Sequence, residues 1–235
     1  RTAPPAELLV APNLVDVQVA MPDSESDLPQ ARTQAGAERV TEPAAVRDYQ
    51  SGDPRRLVHW KATARRDRLM VREVVLRGLP QVWVLVDDAA PAGQAAEAAL
   101  SAAASVALRL LRAGHTVHLV PVAARPAGPA PEVRFDPAGG SGPLLEALAR
   151  VRLAPEGFQA GGAGGLGFGR RLLGEIGARG AVAPIYGAFA QVTDQLAAEL
   201  GPLAAIARPG QLWLTGPDAQ DAALRRQGWT VTRIP

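Results

Sequence analysis

Gln81-Val82-Trp83-Val84-Leu85-Val86-Asp87-Asp88 is the stretch on which the fold turns. Five consecutive apolar residues with three β-branched valines describe a strand covered on both faces, because a strand with one wet face would alternate. Such a strand belongs in the middle of a parallel sheet. The run ends on two adjacent carboxylates, where an open α/β sheet exposes the carboxyl ends of its strands.

Downstream of this strand the pattern alternates. Gly93 and Gln94 open a helix that runs to Ala113, with Leu100, Ala103, Ala104, Ala107 and Leu111 as its inward stripe and Gly114 as its stop. Thr116 to Val122 is the next strand, Glu132 to Phe135 a short edge strand within a Pro/Gly-rich loop, and Leu144 to Val151 a helix. A helix over 167–178, a strand over 181–189, a helix over 192–207, a strand over 211–215, a helix over 217–227 and a strand over 230–234 complete the chain. Strands alternating with helices of this length predict an α/β fold with a mostly parallel sheet and helices on both faces. No fixed-period repeat is present.

Upstream, Glu7 to Ala20 carries short apolar runs and alternation through Leu14, Val15, Val17 and Val19, which reads as one or two strands. Residues 21–45, rich in Pro, Asp, Ser, Gln and Glu, offer little to bury and read as a linker. Leu69 to Leu76 reads as a strand that pairs with the N-terminal strands in a small β subdomain. The expected organisation is an N-terminal strand segment (1–20), the linker (21–45), a joint segment (46–80) and the α/β domain (81–235).

The joint segment is strongly basic. From Arg47 to Arg77 there are nine basic side chains (Arg47, Arg55, Arg56, Lys61, Arg65, Arg66, Arg68, Arg72, Arg77) against four acids (Asp48, Asp53, Asp67, Glu73), although the whole chain carries only +2. Gly52, Asp53 and Pro54 supply turn chemistry. Leu57, Trp60 and Ala64 then recur at helical spacing, which places Trp60 in a core. Composition narrows the rest: no cysteine means no disulfide, thiol nucleophile or cysteine metal site, and 47% hydrophobic residues suffice for a core. The most apolar window, Ala98 to Leu108, is too short to span a bilayer, so the chain reads as soluble.

The spacing Arg47-x-Tyr49-x-x-Gly52-Asp53-x-Arg55, then Trp60-Lys61-x-x-Ala64-Arg65, then Leu69-x-Val71-Arg72-Glu73 resembles the signature of bacterial proteins carrying domain of unknown function 58, DUF58. The resemblance implies a von Willebrand factor A-like (Rossmann-like) domain after the signature. It also implies two transmembrane helices upstream of Arg1, which place this part on the cytoplasmic side of the bacterial inner membrane, and a MoxR-type AAA+ ATPase as partner. The chain starts without a methionine and is expected to be part of such a longer protein. The family's activity is poorly defined.

Von Willebrand A-like domains that bind Mg²⁺ use Asp-x-Ser-x-Ser after the first strand. Here the run is Asp87-Asp88-Ala89-Ala90-Pro91, with both hydroxyl positions empty, and Tyr186 to Phe189 adds no aspartate. Asp87 and Asp88 are therefore expected to cap the neighbouring helix or bond the turn, and no cofactor is expected. Gly162-Ala163-Gly164-Gly165-Leu166-Gly167 matches G-x-G-x-x-G, but a poor strand precedes it and no acid follows at the required offset, so no dinucleotide is expected. His59, His115 and His118 have no serine elbow to serve.

Three readings of the basic segment stay open: a nucleic-acid surface, a patch facing anionic lipid, and an internal ion network of Arg47, Asp53, Arg55 and Arg65 with Tyr49 and Trp60 beneath it. Arg56, Lys61, Arg66 and Arg68 are the candidates for an exposed partner surface. The residues as a whole favour a non-enzymatic interaction or scaffold module. A metal-dependent phosphoesterase or nuclease built on Asp87 and Asp88, and an anion or nucleic-acid binder built on the basic segment, are the alternatives.

Overall fold

The structure, a computed structural model, describes residues 9–22, 40–48, 60–66, 68–77, 80–123, 133–154, 167–179, 182–216 and 220–234. The chain divides into two compact units, one of Arg1–Pro29 with Pro80–Pro235 and one of Gln30–Leu79.

The larger unit is a mixed α/β layer structure. Its six-stranded sheet is built from β3 (Gln81–Val86), β4 (Thr116–Pro121), β5 (Val133–Phe135), β6 (Ala183–Phe189), β7 (Ala207–Leu214) and β8 (Thr230–Arg233), in the spatial order β5-β4-β3-β6-β7-β8. All neighbours are parallel except β5, which runs antiparallel to β4 at one edge. The strand order reverses between β3 and β6, so their carboxyl ends diverge into the connections on either side.

Both faces of the sheet are covered, which explains the unbroken apolar run of β3. Val82, Val84 and Val86 point to one side, against α2 (Gln94–Arg112) and α3 (Gly142–Ala149); Trp83 and Leu85 point to the other, against α4 (Phe168–Arg179), α5 (Asp194–Ala204) and α6 (Asp221–Gln227). α2 is buried along most of its 19 residues. Its alanines and two buried serines let the helix lie close to the strands, where larger side chains would hold it off.

The N-terminal segment departs from expectation. Residues 9–22 form no strand; they run as an extended strap fixed by side chains. Ser105 Oγ accepts from Val15 N (2.8 Å), Arg109 donates to the Val17 carbonyl (3.0 Å), and Gln211 both accepts from Ala20 N (2.8 Å) and donates to the Gln18 carbonyl (2.9 Å). The Tyr186 hydroxyl donates to the Ala20 carbonyl at 2.7 Å. Val17 is buried, with Val15 and Val19 beside it on the α2 face. The alternation at Val15, Val17 and Val19 is real, but it reports docking onto a finished core rather than membership of a sheet.

The smaller unit is an antiparallel pair, β1 (Val40–Asp48) and β2 (Met70–Arg77), with α1 (Trp60–Arg66) between them in sequence. β2 thus pairs with residues 40–48 and not with the N-terminal segment, and the last part of the expected linker is strand. Composition misled there because Glu42 and Pro43 count as loop formers. Pro43 has no N–H to give a ladder, and the register shifts between Pro43 and Ala45. Thr63 Oγ1 accepts from Met70 N at 3.0 Å and ties the end of α1 to the start of β2.

The strap places two polar groups, Tyr186 and Gln211, inside otherwise apolar strands. Replacing Gln211 with Leu removes two hydrogen bonds to it, and replacing Tyr186 with Phe removes one. We expect losses of about 2 and about 1 kcal/mol in unfolding free energy, measured by urea denaturation. Neutral outcomes for both would mean that the strap contributes no stability.

Candidate functional site

The site to test lies where the strand order reverses, at the carboxyl ends of β3 and β6, since open α/β sheets bind ligands there. Asp87 and Asp88 both stand at this edge, and both are buried, 5% and 3% exposed. They point to different neighbours. Asp87 Oδ1 accepts from Ala90 N (3.1 Å) in its own turn, while Oδ2 accepts from Ala190 N (2.9 Å) just beyond β6. Asp88 Oδ1 accepts from Ala123 N (2.8 Å) beyond β4. Two consecutive carboxylates therefore join the ends of three adjacent strands.

Around them the opening is filled by the chain. Ala90, Ala96, Ala99 and Ala190 form a buried apolar cluster over the edge, with Ala95 and Leu153 against it. Pro91 and Ala154 are bridged through Ala92 N to the Ala154 carbonyl (2.9 Å) and Ala154 N to the Ala90 carbonyl (3.1 Å). Thr215 N donates to the Phe189 carbonyl and its hydroxyl to the Ala95 carbonyl (2.6 Å). Gly216 passes so close to the Ala190 carbonyl that a Cβ would lie 2.3 Å from that oxygen. A side chain at position 216 would therefore clash with that carbonyl.

Burial, the largest effect, lifts the Asp87 carboxyl to about 6; the neighbouring charge of Asp88 adds to this, and the amides of Ala190 and Ala90 oppose it. The turn bond expected for Asp87 is present. The helix cap is not: the residue before α2 is Gly93, and no side chain caps that helix. The bonds to Ala123 and Ala190 were beyond sequence reasoning, because they join segments 35 and 103 residues apart.

The residues here do not suit a magnesium ion. Ala89 and Pro91 supply no oxygen donor where the metal-binding pattern has hydroxyls, and both oxygens of Asp87 already face backbone N–H groups. Among the described residues there is no group of three or more His, Asp or Glu side chains that could hold a metal.

The glycine-rich motif ends at a second internal closure. Residues 155–166 lie outside the described set, but the start of α4 is described. There Glu199 of α5 accepts from Gly167 N (3.2 Å) and Gly169 N (2.8 Å). The N–H groups that would hold a pyrophosphate in a dinucleotide fold are met by a carboxylate of the same chain. Gly169 is required for this contact, because a Cβ would sit 2.6 Å from the Glu199 carbonyl oxygen.

Of the two described histidines, His115 precedes β4 and His118 lies within it, opposite Trp83 of β3. His115 bonds the Leu110 carbonyl at 3.3 Å, and burial holds its pKa below the ordinary value. His118 stacks on Trp83 at 5.0 Å and meets Gln81 Oε1 at 3.1 Å. The bonds of both go to Leu110, Gln81 and Trp83 rather than to Asp87.

In the basic segment, Arg47 pairs with Val71, Arg72 with Val46 and Glu73 with Ala45 along the β1–β2 ladder. Tyr49, Gly52, Asp53, Arg55, Arg56 and His59 lie outside the described residues. Trp60 corrects the expectation of a core position: it is 70% exposed. Leu57 lies outside the described residues, and among the described side chains of α1 it is Thr63 that faces inward. Lys61, Arg65, Arg66 and Arg68 are exposed as well.

Fold and site together define a mixed α/β protein whose sheet edge is sealed by its own residues, attached to a basic two-stranded unit. A family model described as protein of unknown function DUF58 matches residues 45–207, well over half of the chain, and the chain belongs to that family. No curated protein and no solved structure matches it.

Two outcomes follow. Because folded Asp87 holds its proton more tightly than the unfolded chain does, its term favours folding in full below about pH 4 and is lost as pH rises through about 6. The difference in unfolding free energy between wild type and Asp87→Asn should therefore fall by about 2 kcal/mol between pH 4 and pH 7, followed by urea denaturation at each pH; a pH-independent difference would contradict it. Gly169→Ala, which forces a Cβ against the backbone of α5, should cost about 2 kcal/mol or more, and Glu199→Gln about 1 kcal/mol by thermal denaturation.

Proposed function

We propose that this chain is a von Willebrand A-like, non-enzymatic interaction module, the cytoplasmic part of a membrane-anchored bacterial protein that works with a MoxR-type AAA+ ATPase. The strand order supports the fold assignment. Renumbered within the larger unit it is 3-2-1-4-5-6 with the third strand antiparallel, and the parallel part follows the doubly wound order in which ligands enter between strands 1 and 4. The β1–β2 pair is the attached N-terminal β subdomain of this reading.

One observation carries the functional part: the ligand position of this fold is closed by Asp87, whose two oxygens are held by Ala90 N and Ala190 N. A module without an accessible reacting centre at its ligand edge acts through its surfaces. The phosphoesterase alternative would need the Asp87 carboxylate free to hold a metal, whereas both its oxygens accept from backbone N–H groups. The membrane anchor of this proposal lies outside the chain described: no helix among the described residues is long and apolar enough to cross a membrane.

A pull-down of the ATPase encoded beside the gene tests the reading. Retention in the presence of ATP is the expected result, and failure with and without nucleotide would overturn the partnership. Titration calorimetry with Mg²⁺ and Mn²⁺ should show no heat of tight binding; a tight isotherm abolished by Asp87→Ala would restore the enzyme.

A further inference from the structure

Charge is divided unevenly between the two units. The segment Gln30–Leu79 holds eleven basic and six acidic side chains, a net of +5, whereas the whole chain carries +2, so the larger unit is net acidic. Within the basic unit, α1 concentrates the excess. From Trp60 to Leu69 there are four cations, Lys61, Arg65, Arg66 and Arg68, against one acid, Asp67.

The helix sorts these residues by face. Trp60 and Ala64 are four apart and share one side; Lys61 and Arg65, also four apart, form the adjacent side. All four are exposed, Trp60 by 70%, and Leu69, just past the helix, is exposed by 40%. An indole left in water beside a row of cations is unfavourable for an isolated soluble surface. It is the arrangement that lies well at the boundary of a bilayer, where the indole enters the headgroup region and the cations meet lipid phosphates.

We propose that α1 of the smaller unit is a peripheral contact for an anionic lipid bilayer, with Trp60 as the inserted group and Lys61, Arg65 and Arg66 as the headgroup ligands. The inference stands on the exposed face of α1 alone and does not rest on the partnership proposed above. A single-stranded nucleic acid would use the same cations, but it binds through successive stacked bases. Trp60 is the one exposed aromatic side chain among the described residues, and Leu69 offers nothing on which to stack. Two apolar groups flanking a cation cluster favour lipid.

The protein carries its own probe. Of its four tryptophans, Trp83, Trp213 and Trp229 are buried, at 3%, 1% and 3%, so the solvent-exposed component of the emission belongs to Trp60. Mixing the protein with vesicles of phosphatidylcholine and phosphatidylserine at low salt should shift that emission to the blue and make it quenchable by brominated lipid. Pure phosphatidylcholine vesicles should do neither, and added salt should reverse the effect. In vesicle co-sedimentation, neutralising Arg65 and Arg66 together (Arg65→Gln, Arg66→Gln) should weaken binding roughly 25-fold, at about fivefold for each cation removed. Trp60→Ala should weaken it severalfold; because Trp60 is exposed, circular dichroism should be unchanged in all variants. No partition onto anionic vesicles, or partition that these substitutions leave intact, would overturn the proposal. So would a blue shift produced by oligothymidylate under conditions in which the vesicles produce none, which would make α1 a nucleic-acid surface.

Discussion

The larger unit depends on one carboxylate held between two amides. Asp87 is almost fully buried, and it joins the turn after β3 to the chain leaving β6. The ladder between these two neighbouring strands ends at Val86 and Ala188, their chains leave in opposite directions where the sheet order reverses, and any connection beyond the ladder falls to side chains. Asp87 supplies that connection, and Asp88 repeats it toward β4. Burying a carboxyl has a cost, visible in the raised pKa, and the paired N–H groups offset it.

The same principle recurs elsewhere in the unit. Glu199 meets the amides at the start of α4, and Tyr186 and Gln211 meet the backbone of the strap over residues 9–22. In each case a polar side chain from one element satisfies the backbone of another that has no regular partner. The result is an α/β unit whose sheet edge and one helix start, the two places where such folds hold phosphates or metals, are engaged internally. The exposed cations and Trp60 of α1 are then the features directed outward.

Much of this was legible in the sequence. The β3 run, the alternation of helices and strands after it, and the missing hydroxyls at Ala89 and Pro91 follow from local pattern and composition. What escaped was long-range or contextual. The strap shows strand-like alternation because its valines enter a core, while its hydrogen bonds go to side chains far away in sequence. β1 was hidden by Pro43 and Glu42, whose composition speaks for loop while the ladder tolerates a register shift. Apolar spacing alone assigns Trp60 to a core, because spacing does not say which face of a short helix meets a neighbour, and the indole is exposed. The sequence does carry one sign of the strap: Tyr186 and Gln211 are polar groups in buried strands, and each requires a partner.

Hydrogen exchange at three backbone amides tests the central claim most directly. If the carboxylates close the sheet edge, the amides of Ala90, Ala123 and Ala190 exchange slowly, as slowly as neighbouring strand amides, and millimolar Mg²⁺ leaves their rates unchanged. Exchange at the rate of an open loop, or a rate that responds to Mg²⁺, would show that the edge is open and that Asp87 is available to a ligand.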